Sequence, residues 1–214
     1  MTYDYKFKVL LFGDKGTGKN TLAQRFLTKL FKPDIKMTIG VEFELRSLEI
    51  DGKKVLINIW HFGGEERFRF FFPQYVRGVS GVVFIYDVTN YSSLTHMDNW
   101  LRLIRKELRK ENQLPILVVG NKADLTDKRE VIGEEGIQFV KSRNVGGFIE
   151  CSAKTGENVE EMFEAITRMM IKKYELDRIK KERTHLKKQI MICRTCGAIL
   201  SEDYIFCNKC GIKL

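Results

Sequence analysis

Residues 5–20, YKFKVLLFGDKGTGKN, decide the fold of this chain. The first eight have the apolar, β-rich composition of a strand that becomes covered on both faces. The rest, GDKGTGKN, match the phosphate-loop pattern G-x-x-x-x-G-K-[ST] except at Asn20. Glycines let backbone N–H groups curl around a phosphate, the following helix adds its positive N-terminal end, and Lys19 reaches the outer phosphates. A phosphate site is therefore predicted between a first strand and a first helix, with a flexible glycine loop as the alternative.

Strand-like and helical segments alternate along the rest of the chain. An early hairpin is predicted from VEFELRSLEI (41–50) and VLINIW (55–60), which flank an Asp-Gly turn. Short apolar runs follow at 81–88, 115–120 and 146–153, with helical patterns between them. This order predicts an α/β fold, with a mostly parallel six-stranded sheet, one antiparallel edge hairpin and helices on both faces. Ligands of such sheets bind beyond the carboxyl ends of the strands.

Composition and charge set the broad class. The chain has 214 residues, is 43% hydrophobic and contains 3 Pro, which is typical of a globular domain with a small appendage. No apolar run approaches the ~20 residues of a membrane span, and the N-terminus lacks a signal-peptide cleavage site. We therefore expect a cytoplasmic protein. Of the net charge of +9, residues 172–214 carry +6, with 11 Lys/Arg and 5 Asp/Glu, so an acidic partner is expected there.

The motif NKAD at 121–124 indicates the base. A carboxylate such as Asp124 accepts hydrogen bonds from both the ring N–H and the exocyclic amine of guanine, and adenine lacks these donors on that edge. The four-residue motif is a weak signal by itself. Its position after a phosphate loop and before CSAK (151–154) makes the guanine interpretation much stronger.

Over about residues 5–172 the chain resembles the Ras-superfamily small GTPases, and within them the Rab branch. The matching segments are GDKGTGKN, TIGVEF, IWHFGGEERF, NKAD and ECSAKTGENVEEMFEAI. The resemblance implies a P-loop GTPase domain that binds GTP or GDP with Mg²⁺. It also implies an effector protein that contacts nucleotide-sensitive switch regions.

The resemblance further implies roles for individual residues. Phe31 is expected to stack on guanine, Thr38 to sense the γ-phosphate and Mg²⁺, and the Gly64 N–H to contact the γ-phosphate. The expected nucleotide-binding residues are Lys15, Gly16, Thr17, Gly18, Lys19, Asn20, Thr21, Phe31, Thr38, Gly64, Asn121, Lys122, Asp124, Ser152, Ala153 and Lys154.

Four residues depart from the family pattern. Asn20 replaces the Ser or Thr that binds Mg²⁺, and His61 replaces the Asp that holds a Mg²⁺-bound water. Glu65 replaces the glutamine that orients the attacking water. Lys15 replaces the small residue that leaves room for an arginine finger.

These departures change the expected chemistry. Mg²⁺ prefers hard oxygen ligands in tight octahedral geometry, so Asn20 and Thr38 are expected to form only a weak Mg²⁺ site. Lys15, and His61 if the phosphate field protonates it, would supply part of the positive charge near the phosphates, and Glu65 would pair with either. Glu65, His61 and Lys15 are the catalytic candidates. We expect weak or absent GTP hydrolysis because a carboxylate beside the γ-phosphate adds repulsion.

The last residues contain the spacing C-x₂-C-x₁₀-C-x₂-C, formed by Cys193, Cys196, Cys207 and Cys210. Two C-x₂-C-G knuckles complete a tetrahedral Zn²⁺ site, and the spacing predicts a zinc ribbon. Disulfides are the alternative, which a reducing compartment disfavours. Cys151 is expected to be a buried thiol.

A basic helix is predicted between the GTPase-like domain and the ribbon. Residues 172–190 contain 8 Lys/Arg and 3 acids, which is consistent with a solvated helix, or with contact to an anionic membrane surface or nucleic acid. Cys210 is followed by four residues, so no prenylation motif is expected. The predicted domains are 1–172 (Rab-like), 173–191 (basic helical linker) and 192–214 (zinc ribbon).

The leading hypothesis is therefore a guanine-nucleotide switch that uses its ribbon for targeting or partner binding, in the cytoplasm or peripherally at a membrane. The alternative is a catalytically inactive scaffold, or a nucleic-acid or protein adaptor that acts through the basic helix and ribbon.

Overall fold

A computed structural model describes residues 2–32, 41–62, 72–107, 114–188, 190–201 and 205–213. The chain divides into two compact units, Met1–Ile171 and Lys172–Leu214. No helix in these described ranges is both long enough and apolar enough to cross a membrane.

The first unit contains a six-stranded sheet. Its strands are β1 (Tyr5–Phe12), β2 (Val41–Ile50), β3 (Lys53–Phe62), β4 (Gly81–Asp87), β5 (Ile116–Asn121) and β6 (Gly147–Cys151). They lie in the order β2-β3-β1-β4-β5-β6. The pair β2–β3 is antiparallel and all other pairs are parallel. The predicted α/β sheet with one antiparallel edge hairpin is confirmed.

Helices cover both faces of the sheet, as predicted. They are α1 (Lys19–Thr28), α2 (Phe72–Val76), α3 (Tyr91–Thr95), α4 (Met97–Glu107), α5 (Gly133–Ser142) and α6 (Val159–Lys188). On one face, α1 packs with the first part of α6, where Phe26 stacks on Phe163 with ring centroids 3.9 Å apart. On the other face lie α4 and α5, and Phe12 stacks on Trp100 of α4. Because alternate residues at the end of β1 enter opposite cores, residues 9–12 form a continuous apolar run.

The register of the parallel strands brings three loops together. Asp87 at the end of β4 is level with Asn121 at the end of β5, and Asn121 is level with Cys151 at the end of β6. The phosphate loop follows β1, which pairs directly with β4. The loops after β1, β5 and β6 therefore meet at the carboxyl edge of the sheet, where the sequence predicts the ligand.

The second unit contains the antiparallel pair β7 (Ile190–Ile192) and β8 (Ile199–Ser201) and two C-x₂-C turns of the same geometry. In the first turn the Gly197 N–H donates to the Cys193 carbonyl, and in the second the Gly211 N–H donates to the Cys207 carbonyl, both at 2.8 Å. Both glycines have a left-handed φ, 71° and 72°. Glycine favours this conformation, so it is suited to the fifth position of each turn.

Candidate functional site

A cavity of about 290 Å³ opens at the carboxyl edge of the sheet. Nine of its ten lining residues belong to the predicted nucleotide-binding set. The lining residues are Gly16, Gly18, Thr21, Phe31, Asn121, Lys122, Asp124, Leu125, Ala153 and Lys154. The other described members of that set, Lys15, Thr17, Lys19, Asn20 and Ser152, lie in the same loops or at the start of α1. Thr38, Gly64 and Glu65 lie outside the described residues.

The phosphate loop depends on glycine at several described positions, of which Gly16 and Gly18 line the cavity. Gly16 and Gly18 have φ of 81° and 89°, a left-handed conformation that side chains disfavour. A Cβ atom at Gly18 would lie 2.2 Å from the Asn121 side-chain nitrogen, whereas a Cβ at Gly16 would meet open space. Gly18 is therefore required for contact between the loop and β5, and Gly16 for the backbone turn itself.

Lys19 is held beneath the phosphate loop. Its buried Nζ donates to the carbonyls of Gly13 at 2.8 Å and Asp14 at 2.7 Å. Burial lowers the pKa of Lys19 to about 8, and the negative charge of Asp14 partly opposes this shift. An anion in the cavity would favour the charged form of this amine.

The side chain of Asp14 anchors the loop to the neighbouring helices. His96, which follows α3, places its Nδ1 2.5 Å from Asp14 Oδ2, and Trp100 Nε1 donates to Asp14 Oδ1 at 3.4 Å. The Asp14 carbonyl also accepts from the buried Thr17 hydroxyl at 2.9 Å. His96 therefore supports the loop through Asp14, a role that the sequence did not indicate.

Asn121 connects the three loops. Its Nδ2 donates to the Thr17 carbonyl at 2.8 Å, and its Oδ1 accepts from the Ala153 N–H at 3.2 Å. The side chain is buried, so these hydrogen bonds are protected from water. Asn121 thus fixes the position of the phosphate loop relative to the loops that follow β5 and β6.

Asp124 is oriented toward the cavity by its neighbours. Its Oδ1 accepts from the Ser152 hydroxyl at 2.6 Å, and Lys154 Nζ lies 3.8 Å from Oδ2. Lys122, which has a left-handed φ of 68°, places its Nζ 2.5 Å from Asp87 Oδ2. Asp124, Lys122, Lys154 and the aromatic ring of Phe31 line the cavity. Its wall therefore contains one carboxylate and several apolar surfaces.

Leu125 and Asp87 belong to this site and were missed by the sequence analysis. Leu125 lines the cavity directly after the NKAD motif. Asp87 ends β4 and receives hydrogen bonds from Thr89 as well as the Lys122 ion pair. A polar residue at the carboxyl end of an apolar strand was the available signal for Asp87.

At the phosphate end of the same region, His61 is paired with Asn20. The His61 ring is fully buried, and its Nδ1 lies 2.9 Å from Asn20 Oδ1. Because an amide oxygen only accepts, Nδ1 carries the proton of this bond. Burial, with a further contribution from the charge of Lys19, lowers the pKa of His61 to about 4. The ring is therefore neutral at pH 7.

This arrangement bears on the charge of His61 and on the fit of Mg²⁺. In the described arrangement the lowered pKa keeps His61 neutral at pH 7, and its protonation by bound phosphates, which was the condition of the expected positive charge, stays a prediction. The Asn20 oxygen expected to bind Mg²⁺ accepts a hydrogen bond from His61 instead, and the place of the family's carboxylate is taken by a neutral ring. The described residues are a poor fit for Mg²⁺.

The four C-terminal cysteines form a second site. Their sulfurs all lie within 4.8 Å of one another, and the Cys193–Cys210 and Cys196–Cys207 sulfurs are 3.5 and 3.6 Å apart. Four sulfurs at the Zn–S distance around a tetrahedral zinc are about 3.8 Å apart, so the group fits zinc. The backbone N–H of Cys196 lowers the pKa of Cys193 to about 6, which favours the thiolate. Cys151 is buried, as expected.

Comparison with known proteins identifies the class. The model of the Ras family matches residues 8–172. The fold, the cavity and this match define a small GTPase of the P-loop class, and the chain belongs to the Ras family. It is 41% identical to the Ras-related protein Rab-8B of Homo sapiens and to that of Bos taurus over 172 residues, covering 80% of this chain and 82% of each relative. It is 40% identical to the Ras-related protein Rab-8 of Diplobatis ommata, covering 80% of both chains.

Proposed function

We propose that this protein is a guanine-nucleotide switch with weak or absent GTP hydrolysis and little dependence on Mg²⁺. The observation that supports this most directly is a cavity lined by the family's base-binding and phosphate-loop residues, together with a His61–Asn20 hydrogen bond between the residues at the family's metal-binding positions. The cavity residues support nucleotide binding, and the His61–Asn20 pair supports altered Mg²⁺ binding.

The base is proposed to bind at Asp124. Its carboxylate accepts the two guanine donors, while Ser152 and Lys154 hold it in place. Phe31 stacks on one face of the base, and Lys122 and Ala153 complete the pocket. Adenine would leave the carboxylate without these donors, which is a strong penalty at a partly buried site.

The phosphates are proposed to bind over the loop of residues 13–20. Backbone N–H groups around Gly16 and Gly18 and the N-terminal end of α1 face the anion, and Lys19 provides the adjacent positive charge. Lys15, which is exposed on the loop, supplies a second cation. With His61 neutral, these two lysines and the backbone carry most of the stabilisation that Mg²⁺ shares in other family members.

Hydrolysis is proposed to be slow because several contributions to phosphoryl transfer are weakened together. Lys15 obstructs an arginine finger, Asn20 and His61 weaken the metal site, and Glu65 replaces the residue that orients water. Such a protein differs between its GDP-bound and GTP-bound states but hydrolyses little GTP.

An effector surface is proposed on the edge strand β2. Phe43 is 59% exposed and stacks on Trp60 with ring centroids 5.2 Å apart, and Trp60 lies 5.6 Å from Tyr75. An exposed aromatic ring backed by two partly buried ones is typical of protein interfaces. Phe43 follows Thr38 by five residues in the sequence, so a nucleotide-dependent partner is proposed to contact both.

We further propose the division of the chain into a nucleotide-binding domain (1–172), a basic helical extension (173–191) and a zinc ribbon (192–214) that serves targeting or partner binding. The four changed residues at the catalytic end also support a second candidate function, an inactive scaffold whose ribbon and basic helix bind partners while nucleotide is held constantly.

Nucleotide and metal analysis of the purified protein tests the proposal. We expect near-stoichiometric GDP or GTP, one zinc per chain and little magnesium. Absence of guanine nucleotide together with failure to bind added GDP would contradict the proposed function.

Multiple-turnover GTP hydrolysis, with and without Mg²⁺, separates the two candidates. A switch predicts slow turnover and a partner that prefers one nucleotide state. The scaffold predicts no turnover and partner binding that is the same with GDP and GTP.

A further inference from the structure

Exposed apolar side chains are concentrated in the second unit. Among the described residues fifteen large hydrophobic side chains are exposed, and eight of them lie in Lys172–Leu214, which is 43 of the 214 residues. Three are on the helical segment and five are on the ribbon. Contiguous apolar surface of this kind, when it is rimmed by polar residues, marks an interaction site.

The ribbon holds some of these side chains in fixed positions. Ile192 and Ile199 are direct cross-strand partners in β7 and β8 and are 65% and 74% exposed. Cross-strand partners lie on the same face of a sheet, so the two side chains form one apolar pair. In the second cysteine turn Phe206 occupies the position equivalent to Ile192, directly before the first cysteine. Phe206 forms a β-bridge with Lys213, and both side chains are exposed.

Positive charge accompanies these apolar side chains. Arg194, Lys209 and Lys213 are exposed on the ribbon. On the helix, Leu176 and Ile179 are exposed one turn apart among lysines and arginines. Asp177 and Glu182 pair with Lys173 and Arg178 one turn away, and the unit is net positive because it contains 11 Lys/Arg and 5 Asp/Glu.

We propose that the second unit docks on an anionic lipid membrane, with Ile192, Ile199 and Phe206 entering the interfacial region and the surrounding lysines and arginines contacting lipid headgroups. An apolar surface flanked by Lys and Arg is the chemistry that binds such an interface. The inference rests on the proposed role of the ribbon as a targeting module and is independent of hydrolysis.

Two observations favour a membrane over other anionic partners. Four of the five exposed apolar side chains on the ribbon are isoleucines, which neither hydrogen-bond nor stack on bases, so they add little to nucleic-acid binding. The apolar side chains are also distributed over both a helix and a ribbon. A lipid interface accommodates such a distribution because it does not require the shape complementarity of a folded protein partner.

The test is co-sedimentation of the full-length, zinc-loaded, nucleotide-bound protein with vesicles of phosphatidylcholine, with or without phosphatidylserine. We expect the protein to bind the phosphatidylserine vesicles, and this binding should weaken as the salt concentration rises.

Two double variants test the apolar side chains. Ile192→Ser with Ile199→Ser, and separately Phe206→Ser with Ile212→Ser, should each reduce partitioning of the protein onto the vesicles by about tenfold or more, because apolar side chains leave the interface. Ile132→Ser with Ile137→Ser is the matched control in the first unit, with two exposed isoleucines, and should not change binding.

Zinc and nucleotide contents measured on the same samples keep the outcomes separate. Retained zinc shows that a ribbon variant is folded, and retained nucleotide shows that nucleotide binding, on which the proposed function depends, is intact whatever the vesicle result. Wild-type protein that does not bind phosphatidylserine vesicles would overturn the proposal. So would zinc-loaded ribbon variants that bind as well as wild type, or single-stranded RNA binding in place of vesicle binding.

Discussion

The two ends of the nucleotide cavity differ in how closely they follow the family pattern. At the base end, Asn121, Asp124 and Ser152 form a connected set of hydrogen bonds among three loops. At the phosphate end, the metal-binding side chains are replaced by Asn20 and His61, which bond to each other. The proposed account therefore assigns base recognition to the loops after β5 and β6 and metal handling to residues of α1 and β3.

The largest effect is expected at the base end. Asp124→Asn replaces one acceptor oxygen by a donor amide, so one of the two guanine donors loses its acceptor and faces an N–H group instead. We expect GDP affinity to fall by on the order of 10³-fold or more, with loss of the preference for guanine over adenine nucleotides. Titration with fluorescent GDP and ADP measures both quantities. Asp127→Asn, an exposed carboxylate in the same loop, is the matched control, and equal effects of the two variants would contradict the assignment.

Restoring the family residues at the phosphate end is the second test. In Asn20→Ser with His61→Asp, a hydroxyl and a carboxylate replace the amide and the neutral ring. Millimolar Mg²⁺ should then slow GDP release by roughly 10–100-fold, the range by which outer ligands alter metal binding. The wild-type protein should show little change under the same conditions. A double variant that remains insensitive to Mg²⁺ would show that other residues determine metal dependence.

We expect the stability of the folded protein to depend on pH because His61 is buried and neutral. Its pKa is about 4 in the folded protein and 6.5 ordinarily, so the unfolded state binds more protons between these values. The stability that neutral His61 contributes is complete above about pH 6.5 and is lost progressively as the pH falls toward 4. By pH 5 the loss is roughly 2 kcal/mol. Denaturant unfolding followed by tryptophan fluorescence measures it.

The control for the pH effect is the exposed His96. His61→Asn should remove this part of the pH dependence, whereas His96→Ala should leave it in place. Identical pH profiles for wild type and His61→Asn would exclude His61 as the source.

The smallest effect is expected from the support of the phosphate loop. His96→Ala removes a partner of Asp14 on a partly exposed surface, where one hydrogen bond contributes about 1 kcal/mol. GDP release should accelerate about fivefold or less, as measured by displacement of a fluorescent nucleotide. Thr95→Ala, which alters an exposed side chain at the end of α3, provides the comparison. No difference between the two variants would assign loop support to Trp100 and the backbone.

The grouping of the loops around the cavity was predictable from the sequence because short motifs encode each loop locally. Gly16, Gly18 and Lys19 belong to the phosphate loop, and Asn121 and Asp124 belong to the loop at the base end. The order of strands then places the two loops side by side. Leu125 and Asp87 were missed because lining a cavity or anchoring a lysine requires no distinctive sequence pattern.

At the phosphate end, the sequence showed which residues differ from the family pattern but not how their side chains interact. The sequence identifies Asn20 and His61 as departures, yet they are 41 residues apart and nothing in the pattern indicates that their side chains bond. The pKa of His61 could not be predicted from the sequence either, because it depends on burial and on the distance to Lys19, and both are properties of the fold.

The most direct test of the central claim is the rate of GDP release from the wild-type protein in millimolar Mg²⁺ and after chelation of Mg²⁺, with zinc content measured on the same samples. If the His61–Asn20 pair has taken the place of the metal site, the two rates should be nearly equal while GDP remains tightly bound. Strong acceleration on removal of Mg²⁺, with zinc retained, would contradict the account.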